Sequence, residues 1–356
     1  MTKTIYPCVL MINDIHISKD NIPEFELNWA EALTVCQRME IRIIVLGGDL
    51  FQSRAAQTLD VLLAVFDALQ SAANKNINVI MANGNHDKVN QEAVRGYCHV
   101  FGKHENVAVV DDFLTISENN WGFSLHMIAY FPENGSFTDK LNALIKGDLD
   151  SGKKNFLYIH EGINGALLHN SDNELPAHIF SDLDRVFVGH YHNRCIIKGT
   201  HIEYIGSSRQ HNFGEDEEKG YTVLYNDGSQ EFIKNKVNTR YLNIDIPIEK
   251  MNIHLTDRLE ELKAEGRYKV KVRVHASTAD ATSINKNELI KCGASKVEII
   301  TQDPEVTEIV STSLFVKFDN NQIQENYQEF CREKKIEDIS LGLTYLLKID
   351  KYVETN

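Results

Sequence analysis

The sequence is short of the residues that build cross-linked, thiolate-metal or membrane-spanning proteins. Its 356 residues include six cysteines, which are scattered without a CxxC pair, and this disfavours a disulfide scaffold and a cysteine-based zinc site. No apolar run approaches the roughly 20 residues that a membrane helix requires. The first residues also lack the apolar stretch of a signal peptide. We therefore expect a cytoplasmic protein with reduced thiols and no membrane partner.

Positive charge is also scarce in this sequence. Lysine and arginine together number 37 against 51 aspartates and glutamates, which gives a formal net charge of −14. This balance counts against strong binding of DNA by the chain alone, because phosphate contacts are normally made by lysine and arginine. Bound divalent cations would reverse the sign of the charge inside an acidic pocket, so a local phosphate-binding site is still compatible with this composition.

The first 240 residues alternate apolar, strand-like runs with helical segments. Residues 8–13, 41–47 and 77–82 are nearly continuous apolar runs, which is typical of strands buried on both faces. Between them, residues 23–40 and 58–75 carry apolar side chains at helical spacing. The later strand candidates look antiparallel. These patterns predict a layered α/β domain with a core of two sheets.

The pattern of the sequence changes after residue 240. Residues 266–277 alternate apolar and basic side chains, which predicts a half-buried strand with Lys269, Lys271 and Arg273 on its outer face. A short helix, a glycine and another strand are predicted over 286–300. We therefore predict three parts of the chain: a large α/β domain over 1–240, a small α/β domain over 241–303, and a linker with a C-terminal helical tail over 304–356.

The predicted tail has apolar residues at the spacing of short amphipathic helices. Such helices must bury their apolar faces, either on a partner protein or on the second domain of the same chain. The residues that we expect to contact a partner are Ile323, Tyr327, Phe330, Leu343, Leu346 and Leu347.

Potential metal ligands follow five of the predicted buried strands. Any one of them alone is more simply explained as a turn former, a helix cap or a structural histidine. Five strand ends that all carry carboxylate, amide or imidazole groups indicate a shared ligand site more strongly than any one of them, because strand ends form the ligand crevice of α/β sheets. These groups together suit Mn, Fe or Zn. The residues are Asp14, His16, Asp49, Asn85, His86, Asp87, His160, His190 and His192.

These residues form the motifs DxH, GD, GNHD, H and GHxH in that order, which resemble the five motifs of the calcineurin-like metallophosphoesterases. The stretches GGDLFQSR (47–54) and YIGSSRQHNFGEDEEKGY (204–221) narrow the resemblance to the SbcD-type nucleases, which include a phage recombination endonuclease. That family works on DNA ends with an SbcC-type coiled-coil ATPase. The resemblance implies a four-layer domain, with two β-sheets between helices, followed by a small α/β capping domain and a helical tail.

The resemblance also implies two divalent metal ions, most often Mn, with Fe or Zn as alternatives. Asp49 would bridge them. His86 would stabilise the phosphorane or protonate the departing sugar oxygen, and Asp87 would orient the loop or that histidine, or cap the turn. The implied ligands are Asp14, His16, Asp49 and His192 for one ion, and Asp49, Asn85, His160 and His190 for the other.

The loop after Asp49 departs from the family pattern. Gln52 stands where these nucleases often have a histidine, and the proline usual a few residues later is missing. Gln52 could still hydrogen-bond a phosphate, or it could be an ordinary surface residue. The candidate DNA contacts are Gln52, Arg54, Arg209, Lys269, Lys271 and Arg273, and for the last three a solvated sheet face is equally consistent with the sequence.

The leading hypothesis is a Mn-dependent DNA exonuclease and endonuclease that works with an SbcC-type ATPase in recombination or repair. A homodimer is compatible with this hypothesis. The alternative is a phosphatase or a phosphodiesterase for cyclic nucleotides or other small molecules on the same fold. A non-catalytic scaffold that works through the tail is a third interpretation, which the complete ligand set disfavours.

Overall fold

The computed structural model describes residues 4–132, 135–167, 173–251 and 253–301, together with Cys331. The chain divides into two compact units, a larger one from residues up to 243 with 260–271, and a smaller one from 244–259 and the residues from 272 onward. The tail residues singled out from the sequence, from Ile323 to Leu347, lie outside the described residues. None of the described helices combines the length and apolar character of a membrane span.

The described elements alternate strands and α-helices from the first strand to the third, and most of the later strands follow one another without an α-helix between them. In chain order they are β1 (Pro7–Ile12), α1 (Ile22–Met39), β2 (Ile43–Leu46), α2 (Leu59–Ala73), β3 (Asn78–Ala82), β4 (Val107–Val110), β5 (Phe113–Ile116), β6 (Phe123–Ile128), α3 (Ser136–Gly147), β7 (Lys154–His160), β8 (Arg185–Gly189), β9 (Cys195–Ile196), β10 (Ile202–Tyr204), β11 (Gly220–Tyr225), β12 (Gln230–Lys234), β13 (Arg240–Pro247), α4 (Ile253–Glu265), β14 (Tyr268–Ala276), α5 (Thr278–Ala281), α6 (Lys286–Cys292) and β15 (Ala294–Thr301).

The larger unit is built on two six-stranded mixed sheets. The first sheet has the order β12-β11-β1-β2-β3-β4, in which β1 to β4 are parallel and β11 and β12 are antiparallel to their neighbours. The second has the order β5-β6-β7-β8-β10-β9, with β6, β7, β8 and β10 parallel. A separate three-stranded sheet, β13-β14-β15, carries the C-terminal part of the described chain.

The core of the larger unit shows why the strand sequences are apolar without alternation. Leu10 and Ile12 of β1 pack with α1 and α2 on one face of the first sheet, whereas Val9 and Met11 face the second sheet. Successive residues of a strand point to opposite faces, so both faces of β1 are covered. The other face of the second sheet packs on another group of buried apolar side chains, which includes Phe137 of α3. The predicted sandwich of two sheets between helices is therefore confirmed.

Helix α1 is fixed against α2 by a tryptophan that the sequence places on its apolar face. Pro23 lies in its first turn, and Glu40 ends it in the left-handed conformation with φ 59°. Trp29 is 5% exposed, and its indole Nε1 donates a hydrogen bond of 2.8 Å to the carbonyl of Ala68 in α2. The bond satisfies the polar end of an otherwise buried ring.

Asn28, on the same helix, is the centre of a buried polar network. It is 2% exposed; its Oδ1 accepts from the hydroxyl of Ser208 at 2.9 Å, and its Nδ2 lies 3.0 Å from the Tyr221 hydroxyl and 3.1 Å from Asn238 Oδ1. The network ties α1 to β11 and to the segment after β10. Because Ser208 follows the site region described below, the network also supports that region.

The Asn28→Ala variant should have a lower free energy of unfolding, by about 2–4 kcal/mol, because it leaves several buried polar partners unsatisfied. Urea denaturation followed by circular dichroism measures the difference. Asn142→Ala, which removes the same group from an exposed position of α3, should change the stability by about 0.5 kcal/mol or less. Equal effects of the two substitutions would contradict this prediction.

Candidate metal centre

The chemically active side chains of the larger unit lie where the parallel strands of the two sheets end. Asp14 and His16 follow β1, Asp49 follows β2, and Asn85 and His86 follow β3. His160 is the last residue of β7, and His190 and His192 follow β8. Since the carboxyl ends of β1 to β3 and of β7 and β8 face the same edge of the sandwich, side chains from both sheets meet there.

The distances place Asp49 at the centre of this group. Its Oδ2 lies 3.6 Å from His16 Nε2 and 3.2 Å from His160 Nε2. His16 Nε2 lies 3.1 Å from His192 Nε2, and His160 Nε2 lies 3.8 Å from Asp14 Oδ1. One carboxylate therefore touches two separate sets of imidazoles, which is the arrangement expected of a bridging ligand.

Three sets of side chains bring their ligand atoms within 4.8 Å of one another. They are Asp14 with His16 and His192, His16 with Asp49 and His86, and Asp14 with Asp49 and His160. The His-x-His pair of the sequence divides between neighbours: His192 faces His16, whereas His190 Nδ1 lies 3.3 Å from Asn85 Oδ1. The structure thus brings together all seven side chains that the sequence proposed as metal ligands.

Several buried atoms of the site are arranged for a cation. Oδ2 of Asp14 has no hydrogen-bond partner among the described residues. The side-chain amide of Asn85 has one end 3.2 Å from Asp49 Oδ2 and 3.3 Å from His160 Nε2. When the oxygen is at that end, it faces the same space as the Asp49 carboxylate. Carboxylate, amide and imidazole donors are hard or borderline ligands, so the residues fit divalent metal ions.

The backbone is bent at the residues that supply the ligands. Asp14, His16, Asp49 and His190 have φ angles of 49°, 49°, 52° and 92°, and they are four of the six non-glycine residues with positive φ in the described segments. Aspartate and histidine tolerate this region better than most residues, yet each such position costs of order 1–3 kcal/mol. The concentration of strain at one site indicates that the ligand geometry is imposed by the surrounding fold.

Two glycines allow the strand ends to come this close. Gly48 has φ 108°, and a Cβ there would lie 2.7 Å from Cγ of His160 and 2.9 Å from the backbone of Gly84. A Cβ at Gly189 would lie 2.7 Å from Nδ1 of His160. Both positions exclude any side chain, because real Cβ contacts of that length do not occur. The glycines of the GD and GHxH motifs are thereby explained by approach to His160.

The protonation equilibria of the ligands follow from burial and mutual charge. Burial lowers the pKa of His16 to about 3 and that of His190 to about 4, so both imidazoles are neutral, as metal ligation requires. Burial also lowers the pKa of His160, but the attraction of Asp49 outweighs it and raises the pKa to about 9. Burial would raise the pKa of Asp49, but His160 and His16 hold it below its ordinary value. Burial raises the pKa of Asp14.

His86 lies beside these ligands with one ring nitrogen held by the backbone. Its Nδ1 is 2.8 Å from the carbonyl of Gln52, and its ring meets that of His16 edge-on at 4.9 Å between centroids. A carbonyl oxygen only accepts, so Nδ1 carries the hydrogen of that bond. Nε2 is then the nitrogen left to exchange a proton with a substrate.

Asp87 holds the loops of the site through backbone amides. Its carboxylate accepts hydrogen bonds from the amides of Phe51 at 2.9 Å, Gly84 at 2.8 Å and Leu50 at 3.3 Å. Burial, with a smaller contribution from Asp49, raises its pKa to about 7. Of the roles the sequence left open for Asp87, the observed contacts match orientation of the loops that carry Asp49 and Asn85.

A family profile of the calcineurin-like phosphoesterases matches residues 9–194. The chain belongs to this family. That range contains every residue that the sequence proposed as a metal ligand, and the family's enzymes use divalent metal ions.

Individual relatives are more distant. The chain is 26% identical over 212 residues to the SbcD component of the nuclease SbcCD of Staphylococcus saprophyticus, covering 51% of this chain and 54% of that protein. It is 25% identical over 298 residues to the candidate phosphoesterase 244L of Invertebrate iridescent virus 6, covering 79% of this chain and 98% of that protein. The chain thus spans about half the length of the staphylococcal nuclease component. A Pseudomonas putida nuclease, MPE, aligns with a TM-score of 0.27 and 17% identity over 54% of this chain and 64% of its own.

In this phosphoesterase, one residue expected to contact DNA is buried. Arg209 is 5% exposed, and its Nη2 donates to the carbonyl of Ile15 at 3.0 Å and lies 3.4 Å from that of His16. The prediction of a phosphate contact is therefore corrected: the guanidinium supports the loop that carries Asp14 and His16. An arginine directly after a serine pair gives no sequence signal of burial, which is why the pattern was misleading.

The remaining residues expected to contact DNA are exposed or half-buried. Gln52 and Arg54 are exposed, and the guanidinium of Arg54 lies beside the Asn85 amide. Lys269 is exposed, and Lys271 Nζ lies 5.0 Å from the ring centroid of Phe213. In the smaller unit, Arg273 forms ion pairs of 3.6 Å with Asp245 and with Glu298, which reduce its attraction for a phosphate.

Sequence reasoning did not find two residues that adjoin the ligands. Nε2 of His211 lies 2.8 Å from the backbone carbonyl of Asp14, and its ring lies 4.8 Å from that of His192 and 5.2 Å from that of His16. Burial lowers the pKa of His211 well below its usual value, so the ring is neutral. The second is Glu215, which contacts His192. Both lie inside the stretch 204–221, which resembles the nuclease family, and that resemblance was the available signal.

Proposed function

We propose that the chain is a metal-dependent phosphodiesterase that cleaves DNA as an exonuclease and endonuclease. The observation that carries the proposal is the position of Asp49 between two sets of imidazole ligands, with His86 beside them. Membership of the phosphoesterase family supports hydrolysis of a phosphate ester. The 26% identity to the staphylococcal SbcD protein favours DNA among the substrates.

The proposed cofactor is a pair of divalent cations, Mn²⁺ before Fe²⁺ or Zn²⁺, because the donors are carboxylate, amide oxygen and imidazole. When bound, the pair supplies positive charge that stabilises the phosphoryl oxygens of the transition state. The ligands assigned to one ion are Asp14, His16, Asp49 and His192, and those assigned to the other are Asp49, Asn85, His160 and His190.

Protein groups then orient the substrate and move the proton. His86, with Nδ1 held by the Gln52 carbonyl, presents Nε2 to protonate the departing sugar oxygen or to stabilise the crowded phosphorus. Arg54 and Gln52 are exposed at the edge of the centre and are assigned to the phosphates of the strand. Lys269 and Lys271 are assigned to more distant phosphates, as sequence-independent contacts.

The proposed partner is an SbcC-type coiled-coil ATPase, bound through the C-terminal tail in recombination or repair. The support is the tail's apolar spacing and the likeness to the staphylococcal SbcD protein. In the proposed organisation, residues 1–240 form the nuclease domain, 241–303 the capping domain and 304–356 the linker and tail. Deletion of residues 314–356 should preserve Mn²⁺-dependent cleavage and abolish co-purification with the ATPase. Aggregation of the truncated protein would instead indicate that the tail packs in the core of the same chain.

The decisive test is hydrolysis of end-labelled linear and closed circular DNA by the purified chain. With Mn²⁺ we expect shortened linear products and nicked circles, and both should disappear when EDTA removes the metal and return when Mn²⁺ is restored. Absence of cleavage by the chain, alone and with its ATPase partner, would refute DNA as the substrate.

A phosphatase or a phosphodiesterase acting on small molecules is the second candidate, and the net charge of −14 is the observation that favours it. Such substrates need few positive contacts beyond the metal ions, whereas long DNA normally needs several. A panel of cyclic nucleotides and aryl phosphate esters separates the two: hydrolysis of a cyclic nucleotide without any cleavage of DNA would select the second candidate.

A further inference from the structure

A buried carboxylate lies behind one of the proposed metal ligands. Oε1 of Glu215 is 2.8 Å from Nδ1 of His192, and the glutamate side chain is 8% exposed. The other ring nitrogen of His192, Nε2, lies 3.1 Å from Nε2 of His16. Nδ1 of His192 therefore contacts the Glu215 carboxylate, whereas Nε2 faces the candidate metal centre.

We propose that Glu215 is a positioning residue for the metal ion that His192 binds; the proposal rests on the metal centre proposed above. A carboxylate that accepts from Nδ1 fixes the proton of a neutral imidazole on that atom. The lone pair of Nε2 is then always available to the ion, and the ring plane is held. Carboxylates in this relation to a ligating histidine typically change metal affinity by about 10- to 100-fold when they are replaced.

The carboxylate is itself held by its own loop, residues 210–215. Oε2 of Glu215 accepts from the backbone amide of His211 at 3.0 Å, and Oε1 accepts from Asn212 Nδ2 at 3.0 Å. The Gln210 side chain donates to the Glu215 carbonyl at 3.1 Å and accepts from the Tyr241 amide at 3.0 Å. The carboxylate thus has little freedom to turn away from His192.

Within the described part of the chain, the contacts of this loop with the proposed ligands are to residues assigned to one ion. Besides Glu215 on His192, it places Nε2 of His211 2.8 Å from the carbonyl of Asp14, and that carbonyl can only accept. Asp14 and His192 belong to one set of converging ligands with His16. Among the residues assigned to the other ion, the side chains of Asn85 and His190 contact each other. Loss of Glu215 should therefore weaken one ion selectively.

The test is a titration of the metal-free full chain with Mn²⁺, followed by calorimetry and by the electron paramagnetic resonance signal of free and paired Mn²⁺. We expect the wild type to bind two ions. Glu215→Gln should bind one as before and the other about 10-fold more weakly, because an amide oxygen still accepts from Nδ1 without the charge. Glu215→Ala should weaken that ion by up to about 100-fold.

Glu218→Gln is the matched control, since Glu218 belongs to the same acidic stretch but is 58% exposed and pairs with Lys234 at 2.7 Å. It should bind both ions as the wild type does. The melting temperature of each metal-free variant is measured in parallel, so that a general loss of structure is visible.

The outcomes separate this inference from the proposed function. A wild-type chain that binds no pair of ions would refute the metal centre itself. If the wild type binds two Mn²⁺ ions and both Glu215 variants bind them with unchanged affinity, the role of Glu215 is overturned and the metal centre is not. Equal weakening of both ions, or a variant that no longer folds, would make Glu215 a support of the fold and would also overturn the inference.

Discussion

Asp49→Asn is expected to lose both metal ions and to lower the rate of Mn²⁺-dependent phosphodiester hydrolysis by at least about 1,000-fold, since paired metal ions contribute several kcal/mol to transition-state stabilisation. The physical reason is the central position of the carboxylate, whose Oδ2 lies 3.6 Å from His16 Nε2 and 3.2 Å from His160 Nε2. Asparagine has the same shape and still accepts from the His86 amide, so the loss should follow from the missing charge.

The measurements for this variant are the Mn²⁺ content after dialysis and the initial rate of DNA cleavage. Asp60→Asn is the control, because Asp60 is 60% exposed and makes a surface ion pair of 3.8 Å with Lys19, and such pairs contribute little. It should retain both ions and the full rate. An Asp49→Asn protein that keeps two ions with wild-type affinity would contradict the assignment of Asp49 as the bridging ligand.

The proximity of the residues proposed as metal ligands could be predicted because their positions follow from strand ends. Each buried strand is marked by an apolar run, and the carboxyl ends of parallel strands meet at one edge. The residues after β1, β2, β3, β7 and β8 were therefore expected near one another, and His16, Asp49 and His160 do lie within 3.6 Å of a neighbour in the group. The glycine of the GD motif also indicates that strand ends meet here, because only a glycine at position 48 allows the close approach to His160.

The residues that hold the ligands from behind could not be predicted in this way. Glu215 reaches His192 across 23 positions of the chain, and Asn28 reaches Ser208 across 180. Neither pair has a periodicity or spacing that relates its members, since the contact depends on how a loop is packed on the finished sandwich. Arg209 shows the converse error: a cationic residue in a loop was expected at the surface, yet the carbonyls of Ile15 and His16 accept its hydrogen bonds in the interior.

Replacement of His86 should separate proton transfer from metal binding. His86→Ala is expected to lower the rate of DNA cleavage by about 100- to 10,000-fold, the usual contribution of a positioned acid or base, while the affinity for two Mn²⁺ ions changes little. The basis is the bond from Nδ1 to the Gln52 carbonyl at 2.8 Å, which leaves Nε2 to meet the substrate. His178→Ala, at an exposed position, is the control and should match the wild type in both measurements.

A substrate whose leaving group needs no proton makes the test sharper. With a nitrophenyl ester of a nucleotide, His86→Ala should recover most of the lost rate if Nε2 protonates the departing oxygen, and it should remain slow if the ring mainly stabilises the crowded phosphorus. His86 also lies within ligand distance of His16 and Asp49. If His86→Ala loses a Mn²⁺ ion on dialysis, then the ring is a metal ligand and its assignment as the proton donor is wrong. Retention of both ions with a slow reaction on DNA and a fast one on the nitrophenyl ester would identify Nε2 of His86 as the group that delivers the proton.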